Sequence, residues 1–154
     1  MAIRLTSAAD YAIRAMLHIA SLPEGGPVQR QDIARVQKIP ASFVSKVLQS
    51  LVRAGLLRSY RGSGGGFALA REASEINLLQ VVEAIEGPLA LNACAPEPGS
   101  CVHSPFCPAD QVWVSIQRQM ADTLRDANLE QLISCSTRNG IGRPQAISQP
   151  VGQK

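Results

Sequence analysis

Aromatic side chains are scarce in this 154-residue chain: one Trp, two Tyr and three Phe. A core must therefore be assembled from Leu, Ile, Val and Ala. Histidine is scarcer still, with only His18 and His103. No histidine-rich set of metal ligands and no nucleophile–base pairing can be assembled, so an enzyme is not expected. No apolar run approaches the ~18 residues of a spanning helix. The opening "MAIRLTSAADYAIRAMLHIA" is broken by Asp10 and Arg14 and is amphipathic, unlike a secretory signal. These absences predict a cytoplasmic protein. Structural disulfides are uncommon in that compartment, although redox-sensing ones occur there.

Acidic residues are scarce in one half only. Residues 1–73 carry ten Lys/Arg against four Asp/Glu, and the remainder five against eight, although the whole chain is only +3. A basic half joined to an acidic half suggests a nucleic-acid-binding module beside a different function.

The length suits one domain, or a small domain with an oligomerisation element. Residues 7–21 have helical periodicity through Tyr11, Ala15, Ile19 and Leu22, with Ala12 and Met16 beside them, and Ser7 and Asp10 have capping-box spacing. "PEGGP" ends that helix, a short helix at 29–37 follows, and Pro40 leads into a third at 41–54, with Gly55 as its terminator. "LLRSYRGSGGGFALA", residues 56–70, reads as a hairpin with a flexible tip. Helices are expected at 75–86, at 108–126 with Pro108 in first position, and at 128–134. The organisation predicted is a DNA-binding domain over 1–87, a cysteine loop over 88–107, a dimerisation helix and short helix over 108–135, and a disordered tail over 136–154.

Helix, helix, turn, helix and basic hairpin is the order of a winged helix-turn-helix. The predicted fold class is mainly α: that DNA-binding domain, with a small β-hairpin wing, followed by a long dimerisation helix. In the third helix Ser42, Ser45, Lys46, Gln49 and Arg53 share a stripe, and Val44, Val47, Leu48 and Leu51 occupy the opposite face. Such polar side chains reach base edges or phosphates, and a helix fits the major groove. An ordinary solvated face explains that helix alone equally well. The hairpin adds weight: Arg58 and Arg61 flank a "GSGGG" tip that permits close approach to a sugar–phosphate backbone. A nucleotide-binding loop is excluded, because no Lys-Ser/Thr follows the glycines and no helix opens there.

Three of the four cysteines crowd into "CAPEPGSCVHSPFC", as Cys94, Cys101 and Cys107. Zinc sites usually show paired CxxC-type spacing and four protein ligands, and neither is evident. Thiolates on one loop suit an iron–sulfur cluster, and Cys107, shortly before a helix, is placed to favour a thiolate. The chemistry alone leaves cluster, zinc and redox disulfide open. Cys135 is expected to be a buried structural cysteine.

"MAIRLTSAADYAIRAML", "IPASFVSKVLQSLVRAGLLRSYRGSGGGFALA" and the three-cysteine loop together resemble the Rrf-two family of bacterial transcription regulators, over about residues 1–135. The resemblance implies a homodimer that binds double-stranded promoter DNA. Its long C-terminal helix would cross the two-fold axis with Trp113, Ile116, Met120 and Leu124 as the seam. It also implies an iron–sulfur cluster on Cys94, Cys101 and Cys107. IscR-like members place a histidine three residues after the third cysteine, where this chain has Asp110. NsrR-like members supply an aspartate from the partner's first helix, and the matching residue is Asp10. The resemblance thus favours a four-iron, four-sulfide cluster over a two-iron one, with Asp10 as fourth ligand and Asp110 or His103 as alternatives. A cluster-free thiol switch of the same fold is the other expectation.

Overall fold

The computed structural model describes residues 5–22, 26–92, 101–103 and 106–138. Helix α1, Ser7–Ser21, starts where Thr6, in extended conformation, accepts the Ala9 N–H on its hydroxyl. The capping residue is therefore Thr6 and not Ser7, which is the first helical residue. Thr6 is itself fixed by Glu86, whose Oε1 accepts from the Thr6 N–H at 3.1 Å and the hydroxyl at 2.5 Å. Small Ala12 and Ala15 let neighbouring helices approach α1, and Met16 fills the gap between them; all three are buried.

Helices α2, Arg30–Gln37, and α3, Ala41–Arg53, follow. Between them Lys38 closes α2 in the left-handed region, at φ 51°, and Pro40 cannot continue the helix. The apolar face of α3 behaves as its periodicity predicts: Val44, Val47, Leu48 and Leu51 are all buried. Gly55, at φ 71°, reverses the chain after α3 at a position that disfavours any residue with a Cβ.

Strands β1, Leu57–Tyr60, and β2, Gly66–Leu69, pair antiparallel with Leu57 opposite Leu69 and Tyr60 opposite Gly66. Val28 exchanges both backbone hydrogen bonds with Phe67, at 2.8 and 2.9 Å, and so straps the wing to the segment that leads into α2. No local pattern of residues reports this strap.

The helix expected at 75–86 is two elements. A single 3-10 turn, Ala73–Glu75, precedes α4, Leu78–Glu86, which is opened by a reciprocal cap between Asn77 and Gln80. Helix α5, Asp110–Asp126, begins two residues after Pro108, which is not its first residue. It packs on α4 yet buries none of its own residues. Helix α6, Leu129–Arg138, runs past the expected end at 134. It returns to the first part of the fold: Asn77 bridges Asn128, Leu129 N–H donates to Ile76 O at 2.9 Å, and the Leu129 side chain is fully buried in the main core cluster. Among the described residues no helix is long and apolar enough to cross a membrane.

Candidate nucleic-acid interface and cysteine loop

Burying one face of α3 turns the other outward. Ser42, Lys46, Gln49 and Arg53 are exposed, and Ser45 is half-buried. Phe43 joins this surface at 44% exposure and meets Tyr11 of α1 edge-on, with ring centroids 5.7 Å apart. Two of the polar residues are tied down. Arg53 donates to Ser50 Oγ at 3.0 Å, and Ser45 Oγ accepts from Arg30 Nη1 at 3.1 Å. Arg58 on β1 and Arg61 just after it are both exposed. The predicted DNA-facing residues therefore lie on two adjacent elements, the solvent side of α3 and the wing.

The glycines of the wing divide into two kinds. A Cβ on Gly66 would stand 2.4 Å from Val28 O, and one on Gly65 would stand 2.3 Å from Tyr60 O. These two are needed so that backbone can pack on backbone inside the wing. A Cβ on Gly64 would meet nothing within 4 Å. Only the outer glycines keep the expected role of leaving the tip clear.

Sequence periodicity did not mark the first residues of α2 as part of this surface. Arg30 and Gln31 share an open cleft of about 430 Å³ with Tyr60 and Ser63 of the wing. Arg30 lies fifteen positions before its partner Ser45, and no local pattern reports a contact of that span. Arg58 lines a different cleft, with Leu69 and Arg71.

Of the cysteine loop, Cys101 and Cys107 are described, both half-buried and neither in a disulfide. Cys94 lies outside the described residues. Cys107 O accepts the Asp110 N–H at 3.2 Å, which joins the loop to the first residue of α5, and His103 is exposed. The Leu91 N–H donates to Gln117 Oε1 at 3.0 Å and ties the start of the loop to the middle of α5. Among the described residues no three metal-ligating side chains gather into one site. Asp10 stands on the first turn of α1, where its carboxylate pairs with Arg14 at 3.3 Å and is 61% exposed. It does not cap the helix. Arg14 also lies over the Tyr11 ring, 5.6 Å from its centroid. Cys135 is exposed on α6 and not buried as expected, because that helix turns its Leu129 end into the core.

His18 is the one buried polar side chain among the described residues. Its Nδ1 has no hydrogen-bond partner there. Burial lowers its pKa from the usual 6.5, and the nearby Asp32 carboxylate opposes that shift.

A buried helical trihelix core, an outward polar helix and a strapped basic wing define a winged-helix DNA-binding protein. The family described as Rrf2, "Iron-dependent Transcriptional regulator", matches residues 5–135. The chain belongs to the Rrf2 family of transcription regulators. It is similar to IscR of Escherichia coli, at 32% identity over 131 residues, which covers 85% of this chain and 80% of that one. Among solved structures, IscR of T. potens superposes with a TM-score of 0.74 at 23% identity, covering 92% of this chain and 94% of that one. CymR, the global cysteine regulator of B. subtilis, superposes at 0.73 and 24% identity, covering 87% and 98%. Likeness at those identities establishes the fold.

Proposed function

We propose that this regulator acts as a homodimer whose affinity for promoter DNA is set by an iron–sulfur cluster. DNA is read by Ser42, Ser45, Lys46, Gln49 and Arg53 on α3 and held by Arg58 and Arg61 on the wing. The unburied face of α5 supports the dimer: Trp113 and Ile116 are 36% and 43% exposed, a costly arrangement for a helix in water unless a second copy covers it.

The observation that carries the cluster is the donor set. Two described thiols share one loop with a third cysteine, and thiolate is the ligand iron–sulfur clusters prefer. Asp10 fits as a fourth ligand from the partner subunit. Its present partner is a surface ion pair worth about 0–1 kcal/mol, so its carboxylate is released at little cost. When bound, the cluster supplies a centre reactive to nitric oxide, to redox state or to iron supply, with four irons favoured over two. The chain's own part is to hold the loop against α5 through the Asp110 N–H and Gln117, and α1 against α4 through Thr6 and Glu86.

The test is an absorption spectrum of protein purified without oxygen, with iron and sulfide counted per subunit. Equal iron and sulfide, lost in Cys101→Ala, supports the cluster, and their number separates four irons from two. Colourless protein after attempted cluster rebuilding refutes it.

A thiol switch of the same fold is the second reading. It is favoured by Cys101 and Cys107 being half-buried thiols with five residues between them on one loop, and by likeness in fold to CymR of Staphylococcus aureus, described in an oxidized form. Loss of two thiols on oxidation in iron-free protein, with a change in DNA affinity, would establish it.

A further inference from the structure

We propose that Arg30 is a clamp that binds a phosphate of the DNA backbone in the cleft between α2 and the wing while fixing Ser45 on the recognition helix. This rests on the DNA-binding reading and extends it to a residue outside α3 and the hairpin.

Three observations carry it. First, Arg30 Nη1 donates to Ser45 Oγ at 3.1 Å, across fifteen positions of sequence. Second, that bond uses one of the five N–H donors of a planar guanidinium, which leaves a fork suited to a tetrahedral anion. Third, the charge is unmatched. Arg14, Arg35 and Arg125 each pair with an aspartate on their own helix, whereas Arg30, among the described residues, makes only the bond to a neutral hydroxyl. The cleft beside it is lined by Gln31, Tyr60 and Ser63 and by no carboxylate. An exposed cation with no carboxylate partner, at the edge of a cleft lined by neutral hydrogen-bonding groups, is free to take an anion, and the anion that a neighbouring recognition helix and wing bring there is a DNA phosphate.

The consequence is a coupling. Phosphate contacts ordinarily set register and carry no sequence information. Here the group that grips the backbone also orients a base-reading hydroxyl, so docking and reading are linked through one side chain. Loss of Arg30 therefore removes a phosphate contact and also loosens the selectivity contributed by Ser45.

The experiment uses the full chain and two probes: a duplex that the wild-type chain selects from a random-sequence pool, and a mixed-sequence duplex of equal length. Affinity is measured as a function of salt for wild type, Arg30→Ala, Arg30→Lys, Ser45→Ala and the Arg30→Ala/Ser45→Ala pair. For Arg30→Ala the slope of log affinity against log salt should shrink by about 0.9 per bound subunit on both probes. Between about 50 and about 200 mM salt that is about 3.5-fold less loss of affinity per subunit. Arg30→Lys should restore the slope, because it restores the charge. On the selected duplex, Ser45→Ala should cost less discrimination in the Arg30→Ala background than in wild type. An unchanged slope in a folded Arg30→Ala protein overturns the phosphate contact, and strictly additive losses of discrimination overturn the coupling. Failure of the wild-type chain to prefer any duplex would instead sink the DNA-binding reading, a separate outcome visible before any variant is made.

Discussion

Replacing Gly66 by alanine tests whether the wing's glycines serve the fold or the ligand. The added Cβ would lie 2.4 Å from Val28 O and 2.6 Å from Val28 C. Both are backbone atoms, so neither can swing aside. The strap must move, and with it go two backbone hydrogen bonds, Val28 N–H to Phe67 O and Phe67 N–H to Val28 O. At about 1 kcal/mol net for each, the loss is about 2 kcal/mol. For a chain of this size that lowers Tm by about 4–8 °C. DNA affinity should fall as well, because Val28 sets the wing against α2 and Arg30 follows two residues later. Gly64→Ala is the control: the same chemical change in the same glycine run, with no atom within 4 Å. It should stay within about 0.5 kcal/mol of wild type. Calorimetric melting of the three proteins decides the matter. A Gly66→Ala protein that melts with wild type, or a Gly64→Ala protein that loses as much, refutes the division of the wing's glycines.

Leu129→Ala should cost about 2–5 kcal/mol in denaturant unfolding, since its side chain is fully buried in the main core cluster; a loss under about 1 kcal/mol would mean that α6 is not part of that core. His18 makes stability depend on pH with a definite sign. Its folded pKa lies below the unfolded 6.5, so in that interval the unfolded chain binds more protons and stability falls as pH drops below about 6.5. His18→Leu should flatten Tm between about pH 7.5 and about pH 5.5, and an identical pH dependence in the variant would contradict this assignment.

Local chemistry was legible in the sequence and distant partnership was not. The bounds of α1 and the buried quartet Val44, Val47, Leu48 and Leu51 follow from apolar spacing, and Gly55 and Pro40 mark where α3 must stop and start. The same logic placed Ser42, Lys46, Gln49 and Arg53 on the exposed face. It misassigned the α1 cap, because Thr6 and Ser7 are chemically alike and only the Glu86 contact, eighty positions away, singles out Thr6. It drew one helix over 75–86, because the apolar pattern runs on through Ile76 and does not register that Asn77 restarts the helix. The Val28–Phe67 strap and the Arg30–Ser45 bond are contacts between segments with no shared periodicity, so each became visible only with the fold. Cys135 was expected to be buried from the habits of its residue type, and the helix phase set by Leu129 overrides that preference.

A cluster can regulate DNA binding only if its ligands bias something that touches DNA, and the side chains of α1 offer a physical route. Asp10 pairs with Arg14, Arg14 lies on the Tyr11 ring, and Tyr11 meets Phe43 edge-on beside Ser42 on the recognition helix. Every link is a contact between neighbouring groups, and the first is the weakest, being exposed. If Asp10 ligates the proposed cluster, its carboxylate would leave Arg14. The guanidinium would then rebalance over Tyr11, whose edge contact with Phe43 is worth about 0.5–1.5 kcal/mol beyond its buried area. That is the scale needed, because coupling of about 1–3 kcal/mol changes affinity by about 5- to 150-fold. Tyr11→Leu keeps an apolar side chain over α3 but removes both ring contacts. In this variant the DNA affinities of cluster-loaded and cluster-free protein should converge, while iron content stays at the wild-type level. An undiminished affinity ratio with normal iron content would show that the signal bypasses α1, and would direct attention to the described bonds from the cysteine loop to Gln117 of α5 and Glu83 of α4.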